Sequence, residues 1–355
     1  MEKISKLKVE RVVQETHDAI TVFFKQPLFW KLKYSAGQYL TALVEIGGQM
    51  ERRCFSLNSA PGIEEELSIT VKRLNDGDVS SQLFETVKVG NRIKVLHPQG
   101  EFTVTPDPEN KRHILLFGGG SGIAPLMSIL KTVLNLEPKS IVSLFYGNRD
   151  EESIIYNEEL KDLKFDFKDR LNLVHILEDP GTKQSYRKGR VERGQVPELL
   201  KLVPKFPFGH TYCYICGPSG MMIEAEAGLL MSGVPRSNIF IERYSQQVSI
   251  HEARAKGALV QNRDIRLIHG GATNMITVKA NRSILNAALD EGLDLPYVCK
   301  DGICGGCKAV CESGEVYMPK DHVLDESEVA QNMILSCVSY PVTNNVVVRI
   351  LDDPK

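Results

Sequence analysis

The chain has 355 residues, 42 % of them hydrophobic and 25 % charged, with a formal net charge of −2. That length exceeds one ordinary core and predicts two or three domains, while the balanced charge excludes the global basic field used to bind nucleic acid. MEKISKLKVE lacks the apolar core of a leader and no run of eighteen apolar residues exists, so the expectation is a cytoplasmic protein without a transmembrane segment, whose eight cysteines serve metal or redox chemistry rather than disulfides.

The first hundred residues read as β structure. ITVFF (20–24), YLTALVEI (39–46) and LSITVKRL (67–74) are short alternating runs separated by Gly, Pro and Asn/Asp, the pattern of a closed barrel or sandwich. After TPDPENKR the pattern changes. HILLF (113–117) is a continuous apolar run, as in a buried parallel strand, and a glycine-rich turn and a helical pattern through Leu136 follow it. IVSLFYG, LNLVHIL and TYCYICG alternate with the helical stretches NEELKDLKF, PELLKLV and MMIEAEAGLLMSG. That alternation predicts an open α/β sheet with right-handed crossovers. Residues 245–263 are polar and weakly patterned and read as a linker. The last ninety residues restart with a hairpin, IRLIH and MITVKA around Gly270 and Gly271, and Ser283 is placed to cap a helix over ILNAALDEG. From Asn262 onward 13 acidic residues face 9 basic ones, a balance of −4, against +2 for the remainder.

Four cysteines crowd into CKDGICGGCKAVC (299–311). A zinc site normally pairs two short-spaced knuckles across a longer loop, and no second knuckle exists here. The bacterial cubane run needs C-x2-C-x2-C-x3-C-P, which this stretch lacks. Cys299, Cys304 and Cys307 match the plant-type C-x4-C-x2-C spacing of a 2Fe-2S cluster, and MILSCVSYP supplies Cys337 as the distant fourth thiolate. Gly302, Gly305 and Gly306 leave the loop free to take positive φ, so that its amides approach sulfur. Cys311 then reads as a small buried hydrophobe, as do Cys54 and Cys213.

A 2Fe-2S cluster takes single electrons, so a donor must precede it. HILLFGGGSGIAP is a strand, a glycine turn and a helix, an arrangement suited to a dinucleotide pyrophosphate, although Ile123 stands where a third glycine belongs. RCFS (53–56), GGGSGIAP, YGNR, CGPSGMM and IERYS follow one another in order. The set resembles the ferredoxin–NADP reductase superfamily, with its R-x-[YF]-S flavin signature, GG-[TS]-GIAP and CGP. With a plant-type ferredoxin at the C-terminus, the chain resembles the reductases of phenylacetyl-CoA epoxidase and of ring- and steroid-hydroxylating oxygenases.

The resemblance implies a multidomain chain: an antiparallel FAD-binding β-barrel over 1–106, an α/β parallel-sheet NAD(P)H domain over 107–245, a linker over 246–262 and an α+β β-grasp ferredoxin domain over 263–355. It implies that Arg53 neutralises the FAD pyrophosphate. Cys54 and Phe55 would lie along the flavin and Ser56 would bond near its N5. Val71, Lys72 and Arg73 would run beside the FAD phosphates, with Gly77, Val79, Ser80 and Ser81 as a second phosphate loop. Gly119, Gly120, Ser121 and Gly122 would cradle the NAD(P)H pyrophosphate. Cys216, with Gly217 and Pro218, would pack beside the nicotinamide, Glu242 would stand near the hydride path and Tyr244 would shield the flavin. Arg149 follows the second strand of the nucleotide domain, where a 2′-phosphate is read, which leans the expectation toward NADPH; Asp150, Glu151 and Glu152 oppose it. The implied activity passes electrons from NAD(P)H through FAD and the cluster to a partner oxygenase. A reductase serving a membrane desaturase is the alternative within that class, and a zinc-binding interaction module on a degenerate reductase is the alternative outside it.

Overall fold

The computed structural model describes residues 3–26, 31–46, 49–73, 78–182, 185–243, 258, 260–280, 282–297, 300, 302, 304–319 and 322–351. The chain divides into two compact units, Met1–Glu242 and Arg243–Lys355.

The first unit opens with an antiparallel sheet of β1 (Ile4–Thr16), β2 (Ala19–Lys25), β3 (Tyr39–Ile46), β4 (Gln49–Ser56), β5 (Leu67–Lys72) and β6 (Arg92–Leu96), ordered β4-β3-β6-β1-β2-β5. Its edges meet where Leu57 bridges Ile69 and the Asn58 amide donates to the Ser68 carbonyl at 3.1 Å. The sheet therefore closes into the expected barrel, which removes both open edges. Val9, Phe24, Leu40, Leu67 and Val95 fill its interior. Helix α1 (Asp78–Thr86) packs on the barrel through Val79, Leu83 and Phe84.

A parallel sheet follows, made of β7 (His113–Gly119), β8 (Ile141–Asn148), β9 (Leu171–Leu177), β10 (Arg187–Lys188), β11 (Thr211–Cys216) and β12 (Ile239–Glu242), ordered β10-β9-β8-β7-β11-β12. Its crossovers carry α2 (Ile123–Leu136), α3 (Asn157–Asp166), α4 (Val196–Leu200) and α5 (Ser219–Met231). Helix α2 is buried on nearly its whole surface, the mark of a helix enclosed within a core. Barrel contacts cover part of it: Ser128 Oγ donates to the Ser59 carbonyl at 2.6 Å, and Lys131 pairs with Glu64 at 2.9 Å. The order reverses at β7, from which the chain builds outward to β10 on one side and resumes at β11 on the other. Ligands bind outside the carboxyl ends of the strands at such a switch point. There Tyr146, Gly118, Cys216 and Glu242 stand side by side on β8, β7, β11 and β12.

The second unit holds β13 (Arg263–His269), β14 (Ala272–Val278), β15 (Lys308–Ser313), β16 (Val316–Tyr317), β17 (Met333–Leu335), β18 (Tyr340–Pro341) and β19 (Val347–Ile350), with helices α6 (Ile284–Asp290) and α7 (Glu326–Ala330). The main sheet runs β14-β13-β19-β15-β17, and β13 and β19 pair in parallel. The predicted hairpin turns between His269 and Ala272, and Ser283 caps α6 by accepting from the Asn286 amide at 3.3 Å. Ile284, Leu285, Ala287 and Ala288 bury α6 against the sheet, which is the β-grasp arrangement. Most of the expected linker, 246–257 and 259, lies outside the described residues.

Candidate functional site

Two glycine loops meet at the carboxyl edge of the parallel sheet. A Cβ on Gly119 would stand 2.7 Å from Met221 Sδ and Pro218 Cδ, and one on Gly122 would stand 2.2 Å from the Cys216 carbonyl oxygen. A Cβ on Gly217 would stand 2.9 Å from the Gly119 nitrogen. The GGGSG and CGP segments thus pack backbone against backbone, which explains glycine at 119, 122 and 217 before any ligand is considered. Gly120 adopts φ 52, and its carbonyl accepts from Tyr146 Oη at 2.9 Å. Ile123, in place of the third glycine, is a fully buried first residue of α2.

Cys216 is fully buried and faces Gly118 and Glu242 in register. Glu242 is half-buried by surface area but ringed by protein, so burial pushes its carboxyl up to about 8. Among the described residues its side chain has no ion pair or hydrogen bond.

A cleft of about 940 Å³ lies beside these loops. Asp18, Lys72 and Arg73 from the barrel line one wall, and Gly119, Gly120, Arg149 and Ser153 line the other. Lys72 Nζ lies 3.5 Å from the Asp18 carboxylate, and the Arg73 guanidinium sits over the Phe84 ring at 5.1 Å. Val71, expected beside phosphates, has its side chain in the barrel core, because β5 buries its side chains up to that point. Val79 likewise packs on the barrel, while Ser80 is buried and Ser81 half-buried in the first turn of α1.

Arg149 is exposed on the cleft with its Nε 3.4 Å from Asp150. Asp150 also caps a short turn reciprocally with Ser153. Sequence reasoning missed Glu178 and Arg190, which line the same cleft and pair at 2.8 Å; that hydrogen bond holds the Glu178 carboxyl below its usual range. Glu178 was findable as the residue just past the third parallel strand. Arg190 follows a two-residue strand with no sequence signal.

On the barrel, Arg53, Cys54, Phe55 and Ser56 end β4 opposite Ala42, Thr41, Leu40 and Tyr39. Arg53 is half-buried, Phe55 belongs to the barrel core, and Cys54 Sγ contacts Thr41 Oγ1 at 3.5 Å. Ser56 is 3 % exposed, and its Oγ is buried with no hydrogen-bond partner among the described residues. A buried hydroxyl left unpaired is costly and calls for a ligand, and a flavin ring atom at the end of this strand fits that need. Gly77 and Tyr244 lie outside the described residues.

In the second unit, Cys307 starts the turn into β15, and its carbonyl accepts from both the amide (3.0 Å) and the hydroxyl (3.1 Å) of Ser336. Cys337 follows directly, so two thiols far apart in sequence are tied to neighbouring backbone. Both are buried and Cys304 is half-buried. Gly302 and Gly305 take φ 73 and 71, as does the non-glycine Lys300 at φ 60, whereas Gly306 does not. Gly306 instead directs its N–H at Cys304 Sγ, 3.5 Å away. An amide aimed at a thiol sulfur in a left-handed glycine loop fits a cluster ligand. Cys299 lies outside the described residues, and among those described no three acidic, His or Cys side chains are gathered as a metal site. Cys311 is turned toward the Ser313 carbonyl at 3.4 Å, away from these thiols in hydrogen bonding.

Comparison with known proteins matches three family models in order: an oxidoreductase FAD-binding domain over 6–104, an oxidoreductase NAD-binding domain over 116–227 and a 2Fe-2S iron-sulfur cluster binding domain over 268–342. The chain is 34 % identical over 347 residues to a 1,2-phenylacetyl-CoA epoxidase subunit of Escherichia coli, covering 96 % of each. It is 36 % identical over 359 residues to the ferredoxin reductase component of 3-ketosteroid-9-alpha-monooxygenase of Mycolicibacterium smegmatis, covering 97 % of this chain and 96 % of that one. A glycine betaine monooxygenase reductase subunit of Chromohalobacter salexigens is 30 % identical over 345 residues, covering 93 % of this chain and 91 % of that one. Phthalate dioxygenase reductase shares the fold, with TM-score 0.72 and 24 % identity over 98 % of both chains. No described helix is long and apolar enough to cross a membrane. The chain therefore belongs to the family of ferredoxin reductase-type oxidoreductases that join FAD-, NAD- and 2Fe-2S-binding domains in one polypeptide and serve as the reductase components of oxygenases.

Proposed function

We propose that this chain takes electrons from NAD(P)H in the cleft between barrel and parallel sheet and delivers them to a separate oxygenase protein of the phenylacetyl-CoA epoxidase or ring- and steroid-hydroxylase kind. The observation carrying this reading is the cleft itself, whose walls set Lys72 and Arg73 of the barrel against Gly119 and Gly120 of the nucleotide loop. When bound, FAD accepts an electron pair from the coenzyme and passes electrons singly to the 2Fe-2S cluster.

The chain's own residues supply binding and orientation. Arg53, Lys72 and Arg73 offer cationic groups to FAD phosphates, with Ser80 and Ser81 at the start of α1 and Gly77 before them in sequence as further donors. Ser56 holds a hydroxyl for the flavin ring. Gly119 to Gly122 admit the coenzyme pyrophosphate, and Cys216, Gly217 and Pro218 form the floor on which the nicotinamide rests. Glu242, kept protonated near neutrality by burial, presents a neutral acid beside that floor; Tyr244 is the residue assigned to shield the flavin when it is bound. Arg149 and Arg190 are the cations at the adenosine end that lean the reading to NADPH, with Asp150 and Glu178 beside them opposing a 2′-phosphate. Cys299, Cys304, Cys307 and Cys337 hold the cluster. The corresponding domains are 1–106, 107–245 and 263–355, joined by a linker over 246–262.

The test is anaerobic titration of the purified holoprotein with NADPH and NADH, followed by addition of candidate oxygenases. Bleaching of the flavin and cluster bands, and their return on adding one oxygenase, is the expected result. Reduction by neither coenzyme would sink the reading.

A further inference from the structure

We propose that Tyr156 is a positioning residue that sets the separation of the two cleft walls, and so the alignment of coenzyme against flavin; this rests on the reading of the cleft given above. Tyr156 precedes α3 in the left-handed region, at φ 61, although it bears a bulky side chain and only three described non-glycine residues do so. A conformation unfavourable for such a residue, held in a buried place, points to a constraint imposed by its surroundings.

Those surroundings form a closed ring of hydrogen bonds. Asn58 Nδ2 donates to Tyr156 Oη at 2.6 Å. The phenol and Thr70 Oγ1 are hydrogen-bonded, Thr70 and Thr21 share a bond at 2.8 Å, and Thr21 Oγ1 donates to Glu15 Oε1 at 2.7 Å. Each hydroxyl has one proton, so the Thr21 donation fixes the direction of the relay: Tyr156 to Thr70, Thr70 to Thr21, Thr21 to Glu15. The other oxygen of Glu15 accepts from the Tyr156 amide at 3.3 Å. Both ends of one residue of the nucleotide domain are thereby locked into β1, β2 and β5 of the barrel.

The ring lies outside the cleft lining but is joined through the chain to both walls. Thr70 lies two residues before Lys72 on β5, and Tyr156 lies three residues after Ser153; Lys72 and Ser153 both line the cleft. Other barrel contacts, such as Ser128 to Ser59, join α2 to the barrel. β5 also packs directly against the Gly120–Gly122 turn, and Tyr156 adds a hydrogen-bonded link that continues through the chain into both lining segments. Since small errors in the approach of two reactants cost large factors in rate, its hydroxyl should matter to flavin reduction more than to coenzyme binding.

The experiment compares Tyr156→Phe, Thr70→Val and Thr70→Ser with the wild-type holoprotein by stopped-flow bleaching of the flavin at several coenzyme concentrations. Amide hydrogen exchange over 67–72 and 150–156 is followed alongside. Tyr156→Phe and Thr70→Val should slow the limiting rate of flavin reduction at least tenfold, leave the coenzyme Kd within twofold and speed exchange in both segments. Thr70→Ser, which keeps the hydroxyl, should behave as wild type. A limiting rate within twofold for both disruptive variants, or an equal loss in Thr70→Ser, overturns the proposal. If Tyr156→Phe fails to fold, the Thr70 pair decides. A wild type that neither coenzyme reduces would refute the cleft reading instead, and faster exchange confined to one segment would still refute the coupling.

Discussion

Gly122 touches Cys216 through the backbone: the carbonyl oxygen of Cys216 occupies the space, 2.2 Å away, where any side chain on Gly122 would begin. The neighbour is main chain at the end of β11, which cannot rotate aside. Gly120 differs, because a Cβ there meets nothing within 4 Å and its constraint is only its φ of 52.

Gly122→Ala should therefore weaken coenzyme binding at least tenfold and lower Tm, since overpacking costs roughly 1–3 kcal/mol. Gly120→Ala should be milder, near the ~1 kcal/mol of left-handed strain. Coenzyme titration of the FAD-loaded proteins measures both. Equal effects, or a milder Gly122→Ala, would mean that the loops do not pack as described.

Burial raises Glu242 from its ordinary 4.5 to about 8. Between those values the unfolded chain releases a proton that the folded chain keeps. The contribution to stability is fully present below about 4.5 and is lost as pH rises through about 8. Thermal unfolding from pH 5 to 8.5 should show Tm of the wild type declining more steeply than that of Glu242→Gln. Parallel curves would place the carboxyl in water.

Serine at Cys299, Cys304, Cys307 or Cys337 should abolish or sharply reduce the visible and paramagnetic signals of the cluster, and serine at Cys311 should spare them. The sulfur of Cys311 already faces the Ser313 carbonyl, whereas Cys304 receives the Gly306 amide. Retention of the cluster without Cys337, with loss on changing Cys311, would reverse the assignment.

How far such sites are legible in sequence depends on how local their cause is. The cysteine spacing, the glycine run and the Ser283 cap are local, and YLTALVEI is strand β3 to the residue. That the Val71 side chain turns into the barrel core was not legible, because a strand buried on both faces hides which side chains reach a cleft. Arg190 and Tyr156 owe their positions to register between elements distant in the chain, and residue type alone carries no mark of that. Asp150 read as an acid opposing phosphate; its capping of the Glu151–Ser153 turn depends on a backbone geometry seen only in the fold.

The separability of the two units follows from their independent cores. Met1–Glu242 is compact by itself, so a chain ending near Ser245 should retain FAD and reduce ferricyanide with NAD(P)H. It should fail to reduce the oxygenase, whose single-electron supply requires the cluster. Full-rate oxygenase reduction by the truncated chain would take the cluster off the main route.

The last prediction concerns the face presented to the oxygenase. Asp325, Glu326 and Glu328 are candidate acids for steering a basic patch on the partner, but two of them already have work within α7. Asp325 caps the helix by accepting from the Glu328 amide at 2.8 Å, and Glu328 returns a bond to the Asp325 amide at 3.0 Å and pairs with Lys308. Glu326 has no ion pair or hydrogen bond among the described residues, so it is the acid left to act at a distance. Val323 anchors this face to the cluster loop, its amide donating to the Gly302 carbonyl at 3.0 Å, and it is itself exposed. The described residues of that loop are half-buried or buried rather than open, which places the weight of recognition on its neighbours. Steered association fades with added salt, over a Debye length of about 8 Å at physiological ionic strength. The second-order rate of oxygenase reduction should thus fall as salt rises, and Glu326→Gln should flatten that slope while leaving Tm unchanged. Asp325→Asn should instead act mainly on Tm, through a weaker cap. A rate indifferent to salt and to Glu326→Gln would leave α7 a solvated acidic helix with no part in docking.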